Sequence, residues 1–418
     1  MKALDSEEKF AKYFTIERYF TPIEMEYRKS RVQNVGCDFD KVLAKVSDYR
    51  KRNMRHLFSS QGESFSFCLT KELNRRVEKI NSFWKTIEYL LKSRYEKNLV
   101  VDTLISEAYS SSTIEGAYTT HKRTKELIKE KLSPQNKSEK MVVNNYYALK
   151  YSDEHIRKPI DKEFILKLHQ IVTEGTLDEQ KDEGKFRDDR VDILNSKQKV
   201  VFSPTGNIKK MHQMIDDLLN YVNDKDDWSE VIDCIYKAMM FHFVYAYIHP
   251  HFDGNGRTVR ILFTHLLVKC GYDMFRYISL SEVIMERKTD YEKAFVTVER
   301  NRLSDGSYDL TYFFYYLTDI MLEGLDRLAL RIKGYTAESR MLDVAKKRGI
   351  MLSATQKRII KSVSRSDLPL DTKELSKRLK LSAQTIRKHA NRLAEFGIVK
   401  RIKSGNRIYF QPNESIWS

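Results

Sequence analysis

The sequence predicts a mainly α-helical protein with one small β-hairpin and a compact basic module at its C-terminal end. Three observations predict it. Proline and glycine are scarce, 7 and 15 among 418 residues, so few positions break a helix. Apolar residues recur at spacings of three and four over most of the chain. One strand-like interruption, residues 184–206, alternates apolar and polar residues between turn formers within the main helical stretch.

At this length two or three domains are expected, and 41% hydrophobic with 32% charged residues suits a soluble globular chain. The opening MKALDSEEKF has no basic stretch followed by an apolar core, so no secretory signal is expected. The most apolar segment, IDCIYKAMMFHFVYAYI at 232–248, contains Asp233, Lys237 and His242. It reads as a buried helix rather than a membrane span. Cys37, Cys68, Cys234 and Cys270 show no CxxC spacing, which argues against a zinc site or a disulfide scaffold and points to the cytoplasm.

Residues 1–95 are expected to form a helical extension without identifiable chemistry. Within it, KELNRRVEKINSFWKTIEYLLKSRYEKN (71–98) reads as one amphipathic helix with Leu73, Val77, Ile80, Trp84, Ile87, Leu90 and Leu91 on its apolar side. A main domain, 96–335, follows, with helices expected near 100–115, 120–131, 139–152 and 161–173. In the hairpin segment Val191 and Ile193 alternate with polar residues, Asn195–Ser196 supplies a turn, and Val200–Phe202 returns. Helices resume near 208–223, 229–247, 256–270 and 310–330, and a charged connector is expected at about 331–352.

The densest chemistry lies in IHPHFDGNGRTVR, residues 248–260. Asp253-Gly254-Asn255-Gly256 separates two strongly helical segments and must turn tightly into a helix starting near Arg257. A glycine-rich turn there leaves backbone N–H groups unpaired at the positive end of the helix dipole, an anion site suited to phosphate. Arg257 and Arg260, three apart, share a helical face and can reach one phosphate chain. Asp253 offers a hard oxygen for Mg²⁺, and His249 a base near neutral pH. Each feature alone fits an ordinary polar corner; together at this spacing they point to a polyphosphate site.

The segment resembles the Fic-domain signature H-P-F-x-(D/E)-G-N-G-R-x-x-R. Every charged, glycine and asparagine position agrees, while His251 stands where the family has Phe, with Phe252 next to it. The family Phe packs into the core, so the local anchoring is altered; an H-x-H metal pair of His249 with His251 is the other reading. The resemblance implies an all-helical Fic core with a β-hairpin flap. It also implies a protein adenylyltransferase, in which a Tyr, Thr or Ser hydroxyl attacks the α-phosphorus of ATP. His249 would be the base, and Asp253 would hold Mg²⁺. Gly254, Asn255 and Gly256 would bind phosphate oxygens, and Arg257 and Arg260 the β- and γ-phosphates. The hairpin 184–206, opened by Gly184-Lys185-Phe186-Arg187, resembles the flap on which a protein substrate docks by strand addition.

EAYSSSTIEGAY (107–118) reads as a helix ending at Glu115 and stopped by Gly116. A glutamate at that end opposes the helix dipole and calls for a cationic partner. The stretch resembles the family's inhibitory motif (S/T)-x-x-x-E-(G/N), as Ser111, Glu115 and Gly116. The resemblance implies an inhibitory helix at 100–116 whose Glu115 pairs with Arg260. It also leaves open that Glu115 activates water to remove AMP.

The net charge is +16, and residues 350–418 hold 15 Lys and Arg against 5 Asp and Glu, which suggests a polyanionic partner. Helices are expected at 354–364, over DTKELSKRLK, and, after a short turn at Leu381-Ser382, running to Phe396. Two strand-like pieces, IVKRI and RIYF, flank Lys403-Ser404-Gly405-Asn406. The region resembles a winged helix-turn-helix. Thr385, Arg387, Lys388 and Arg392 would lie on the recognition helix, with Lys400, Arg401, Lys403 and Arg407 along the wing. Duplex DNA is the implied partner; dimerisation or intramolecular docking is the other use of such a module. No membrane partner is expected, and a homodimer is admitted without being specified. The leading expectation is a self-inhibited protein adenylyltransferase. A nucleotide-sensing DNA-binding regulator with a weakly active core and an AMP-removing enzyme stand beside it.

Overall fold

The computed structural model describes residues 2–91, 96–194, 199–224, 234–366 and 368–416. The expected turn at Asn195–Ser196, Asp233, and the side chains of Trp84, Ile87, Leu90 and Leu91 lie outside the described residues. The chain divides into two compact units, Met1–Lys85 with Lys97–Gly324, and Thr86–Glu96 with Leu325–Ser418.

The first unit opens with short helices whose core is Phe14, Phe20, Val32, Val42 and Val46. The extension is not all helical. β1 (Met54–Ser60) and β2 (Glu63–Cys68) form an antiparallel hairpin. Its two-residue turn, Gln61-Gly62, has φ of 51° and 82°, the paired positive values that match the twist of a tight hairpin. The exposed turn and the Ser64/Phe65/Ser66/Phe67 alternation stabilise strands where helix was expected. β2 then pairs in parallel with β3 (Tyr308–Asp309), Phe65 opposite Tyr308. The Tyr19 hydroxyl donates to Asp309 at 2.7 Å, tying the extension to the same body.

α1 (Lys71–Leu91) and α2 (Glu96–Ile114) follow. α3 (Lys137–Glu154) and α4 (Lys162–Thr173) are capped by Asn136 and Asp161, whose side chains accept from the N3 amides. The hairpin is short: β4 (Ile193–Leu194) pairs antiparallel with β5 (Val200–Phe202). α5 (Ile208–Asn223) leads toward α6 (Cys234–Ile248) and α7 (Asn255–Lys269). α6 is the axis of the unit, with Ile235 through Tyr245 all buried, as expected of a helix that is apolar all round. The loop 249–254 joins α6 to α7, and α8 (Leu280–Glu286) lies further on.

α9 runs from Thr311 to Lys347, so the expected connector at 331–352 is helix for most of its length. Ile332, Tyr335, Met341 and Ala345 are buried along it, enough apolar contact to keep a charged helix wound. In the second unit α10 (Ala354–Ser364), α11 (Thr372–Leu379) and α12 (Ala383–Glu395) enclose Ile359, Leu375, Ile386, Leu393 and Phe410. A three-stranded sheet completes it, with β6 (Leu370–Asp371), β7 (Val399–Ser404) and β8 (Arg407–Pro412) in the order β6-β8-β7. Three helices and a basic hairpin in this order are the expected winged helix-turn-helix.

Cys234 and Cys270 are bonded to each other, with Cα atoms 6.0 Å apart, a single bond in a chain whose cysteine spacing argues against a disulfide scaffold. The α6–α7 turn-back brings residues 36 apart in sequence together, which spacing alone does not encode. Cys37 and Cys68 are free and buried.

Candidate active site

The site grows from the α6–α7 corner. α6 ends at Ile248, and His249 adopts φ of +50°, uncommon for a residue with a side chain. Local strain of this kind persists only where surroundings hold it. Here the His249 carbonyl accepts from Arg187 Nε at 2.9 Å, and the Pro250 carbonyl accepts from the Arg187 amide at 2.8 Å. Arg187 is fully buried and donates further to the carbonyls of Asp189 and Thr205, the two limbs of the hairpin. Sequence reasoning noted Arg187 only as part of the hairpin's opening; its long-range backbone contacts leave no local signature.

The turn itself is braced by Asn255. Its side-chain carbonyl accepts from the His251 amide at 3.0 Å, and its NH₂ donates to the His251 carbonyl at 2.7 Å. That side chain is therefore committed to the loop, and what Asn255 offers a phosphate is its backbone N–H. Gly254 sits at φ of 80°, and a Cβ there would meet Thr173 at 2.7 Å, so only glycine fits. α7 starts without a side-chain cap, leaving its first amides open as an anion cradle.

Arg257 and Arg260 rise from the first two turns of α7 and are 1% and 3% exposed. Arg257 Nη1 donates to the Val172 carbonyl at 3.2 Å. Among the described residues, Arg257 Nε and Arg260 Nη1 are buried and make no hydrogen bond of ordinary geometry. Buried cationic donors without acceptors are costly and suit a site shaped for an anionic ligand.

One anion is already there. Glu115 Oε1 lies 2.8 Å from Arg260 Nη2, and a Cβ on Gly256 would fall 2.2 Å from that same oxygen. The carboxylate therefore lies against the cradle itself. Ser111 holds the pair in place, its hydroxyl and carbonyl each accepting from Arg260 at 2.9 Å. α2 ends at Ile114, Gly116 takes φ of 91°, and the Ala117 and Gly116 amides return to Ser112 and Thr113, a glycine-stopped helix end. Lys288 Nζ donates to the Ile114 carbonyl at 2.7 Å, a cation at the negative end of the helix that the sequence did not reveal. Burial works to raise the Glu115 carboxyl, but the Arg260 guanidinium, with Arg257 and Lys288, outweighs it and holds it below the usual carboxylate value.

Burial pushes His249 down to about 4, so its ring is neutral and able to accept a proton at neutral pH. Asp253 is exposed, with Oδ1 3.9 Å from Arg257 Nη2. Among the described residues no three His, Cys, Asp or Glu are placed to hold a metal ion; Asp253 is the exposed carboxylate of this corner, open to a cation that arrives with a phosphate chain. That is the mode in which Mg²⁺ commonly binds.

His251 does not support an H-x-H metal pair. Both ring nitrogens are committed, Nδ1 to the Lys185 carbonyl at 2.7 Å and Nε2 to the Tyr245 hydroxyl at 2.8 Å. The ring is fully buried between His169, 3.7 Å away and parallel, and Phe186 at 5.3 Å. The core position of the family Phe is kept with a polar ring. His169, also missed by sequence reasoning, donates to the Asp253 carbonyl and receives the Gly184 amide.

In the second unit, Ser382 caps α12 by accepting from the Thr385 amide. Arg387, Lys388 and Arg392 on α12, and Lys400, Arg401, Lys403 and Arg407 on the wing, are all exposed.

Residues 159–267 match the Fic/DOC family, and residues 356–410 match the DeoR-like helix-turn-helix domain. The protein adenylyltransferase Fic of Nematostella vectensis is 28% identical over 182 residues, 42% of this chain and 40% of that one. Its Drosophila melanogaster namesake is 26% identical over 204 residues, 47% and 39% of the two chains. The match thus spans about 40% of the length of these relatives. A Fic family protein from Desulfovibrio desulfuricans G20 superposes with a TM-score of 0.54 at 18% identity, covering 82% of this chain and 96% of that one. Fic-1 from Caenorhabditis elegans superposes at 0.53 with 17% identity, covering 69% and 77%. Residues 159–267 are thus a Fic domain, and the chain carries a winged helix-turn-helix of DeoR type behind it.

Proposed function

We propose that the protein is an adenylyltransferase that moves AMP from ATP to a Tyr, Thr or Ser hydroxyl of a target protein, and that Glu115 holds it inactive. The observation that carries the reading is the carboxylate of Glu115 seated against Gly256 and Arg260. A cradle that an internal anion occupies is a cradle built for anions, and two buried arginines with unfilled donors surround it.

With ATP bound, the open amides of α7 and Arg257 would hold phosphate oxygens, and Arg260 would take the terminal phosphate once Glu115 leaves. His249 accepts the proton of the target hydroxyl as its oxygen bonds to the α-phosphorus. The bond from that phosphorus to the bridging oxygen breaks, and pyrophosphate leaves with the electron pair. Mg²⁺ at Asp253 would offset the phosphate charge. A neighbouring triphosphate also raises the proton affinity of the depressed His249, bringing the base toward the working pH. Most of the rate then comes from positioning and fixed dipoles. The two-strand hairpin β4–β5, with Val200 54% exposed, offers an edge for a target segment.

The exposed basic face of α12 and the wing supports a second activity, binding of duplex DNA through phosphates. This module would bring the transferase to DNA or tie its state to DNA occupancy.

Label distinguishes the reading from phosphoryl transfer. Incubation with Mg·ATP labelled at the α-phosphate should label protein, while label at the γ-phosphate should not. Incorporation from the γ-position would refute adenylyl transfer.

A further inference from the structure

The loop that carries His249 and Asp253 is joined to the base of the hairpin by two stacked imidazoles. His169 and His251 lie 3.7 Å apart with planes 6° from parallel, both fully buried. Obligate partners fix their protons. The Gly184 amide can only donate, so His169 Nδ1 accepts it at 3.1 Å; its Nε2 then carries the hydrogen and donates to the Asp253 carbonyl at 2.8 Å. The Lys185 carbonyl can only accept, so His251 Nδ1 carries the hydrogen, and Nε2 accepts from the Tyr245 hydroxyl at 2.8 Å. Two consecutive residues of the segment that leads into the hairpin, the Asp253 carbonyl and the α6 helix thereby meet through one ring pair. A phenylalanine at 251 would fill the space and make none of its bonds.

We propose that His169 and His251 are positioning residues that couple the seating of the hairpin to the placement of His249 and Asp253, so that a docked protein target aligns the base. This rests on the adenylyltransferase reading for its kinetic consequence, though not for its structural one. The coupling runs through backbone atoms at both ends, Gly184 and Lys185 on one side and Asp253 on the other. Arg187 provides the parallel tie to His249 and Pro250. The Asn255 side chain ties the His251 backbone to the first residue of α7, whereas the cradle's arginines bond to Val172 and Ser111 and to neither ring, so turnover should fall further than nucleotide affinity.

The test uses the full chain. Amide hydrogen exchange over residues 184–187 is compared for the native protein and His251→Phe, His251→Asn and Tyr245→Phe. Turnover and Mg·ATP affinity are measured in the Glu115→Gly background. Expected for His251→Phe is exchange on the order of tenfold faster at 184–187, turnover down about tenfold, and Mg·ATP affinity within about threefold. His251→Asn, whose amide can still donate toward Lys185, should recover part of both losses. Should His251→Phe not fold, Tyr245→Phe, which removes one hydroxyl, must show faster exchange in the same peptide. Unchanged exchange in the folded variants, or a phenylalanine variant with native turnover, overturns the proposal. If the Glu115→Gly protein transfers no AMP at all, the transferase reading fails while the exchange experiment still decides the coupling.

Discussion

Two basic regions in this chain use the same residue types in opposite ways. In the α6–α7 corner Arg257 and Arg260 are almost fully buried, with donors left open and one carboxylate plugging the cradle. On α12 and the wing Arg387, Lys388, Arg392 and Lys403 are all in solvent. A buried guanidinium has already lost its water, so it gains most from an acceptor at a fixed place, and it discriminates by geometry. An exposed one keeps its water and counterions, so it binds a polyanion through released ions and is weakened by salt. The first arrangement suits one small anion held for chemistry, the second a long backbone held for location.

The largest effect expected is at the corner. In the Glu115→Gly background, His249→Ala should lower AMP transfer by about 10²–10⁴-fold, the usual contribution of a positioned base, with Mg·ATP affinity little changed. Loss of binding instead of turnover would make His249 a nucleotide ligand and blur the contrast between base and cradle. At the other region, Arg387→Glu with Lys388→Glu should weaken duplex DNA binding about tenfold or more at low salt. It should also reduce the slope of log affinity against log salt by about 1.8, near 0.9 for each phosphate no longer neutralised. A slope that does not move would remove those two residues from the DNA surface.

Smaller is Ser111→Ala, which deletes the hydroxyl that accepts from Arg260. A hydrogen bond to a charged group contributes about 1.5 kcal/mol, so basal transfer should rise by roughly tenfold as the plug loosens. No change would mean that the Ser111 carbonyl alone suffices. The smallest is a predicted absence of effect. His249 is depressed to about 4 and Glu115 lies below the ordinary carboxylate range. The ion pair is therefore intact above that range and lost only as pH falls through the lowered value, while the base is neutral above about 4. Glu115 itself works to raise His249, so its removal cannot bring the base upward. In the nucleotide-free Glu115→Gly protein, followed by NMR, the His249 ring should show no titration between about pH 5 and 8. A midpoint near the ordinary histidine value of about 6.5 that disappears in His249→Ala would contradict the burial assigned to the ring.

The contrast also explains what was legible in the sequence. Residues 249–260 place base, carboxylate, turn glycines and both arginines in one uninterrupted string, because a helix N-terminus builds an anion site from local geometry. The winged module was legible for the same reason, each helix having its own cap and apolar stripe. Arg187, His169 and Lys288 were not, since they act through backbone carbonyls or amides of residues far off in sequence, and nothing near them records it. Asn255 was read as a phosphate ligand, yet its side chain is spent on His251; a signature gives the residue, not which of its groups is free. The N-terminal hairpin had a signal in Phe65 and Phe67 between serines, but its partner β3 is two residues long and carries no period. In α9 the charges Lys333, Glu338 and Arg340 are interspersed with the buried Ile332, Tyr335 and Met341, which makes the helix read as a connector.

The most direct measurement is incorporation of α-labelled AMP by the full chain with Mg²⁺, native against Glu115→Gly. If the carboxylate against Gly256 blocks the cradle, the variant should label about 10–100-fold faster, the range set by charge-assisted hydrogen bonds of about 1.5–3 kcal/mol. Equal labelling of the two proteins would contradict the brake, and failure of the variant to bind Mg·ATP would contradict the site.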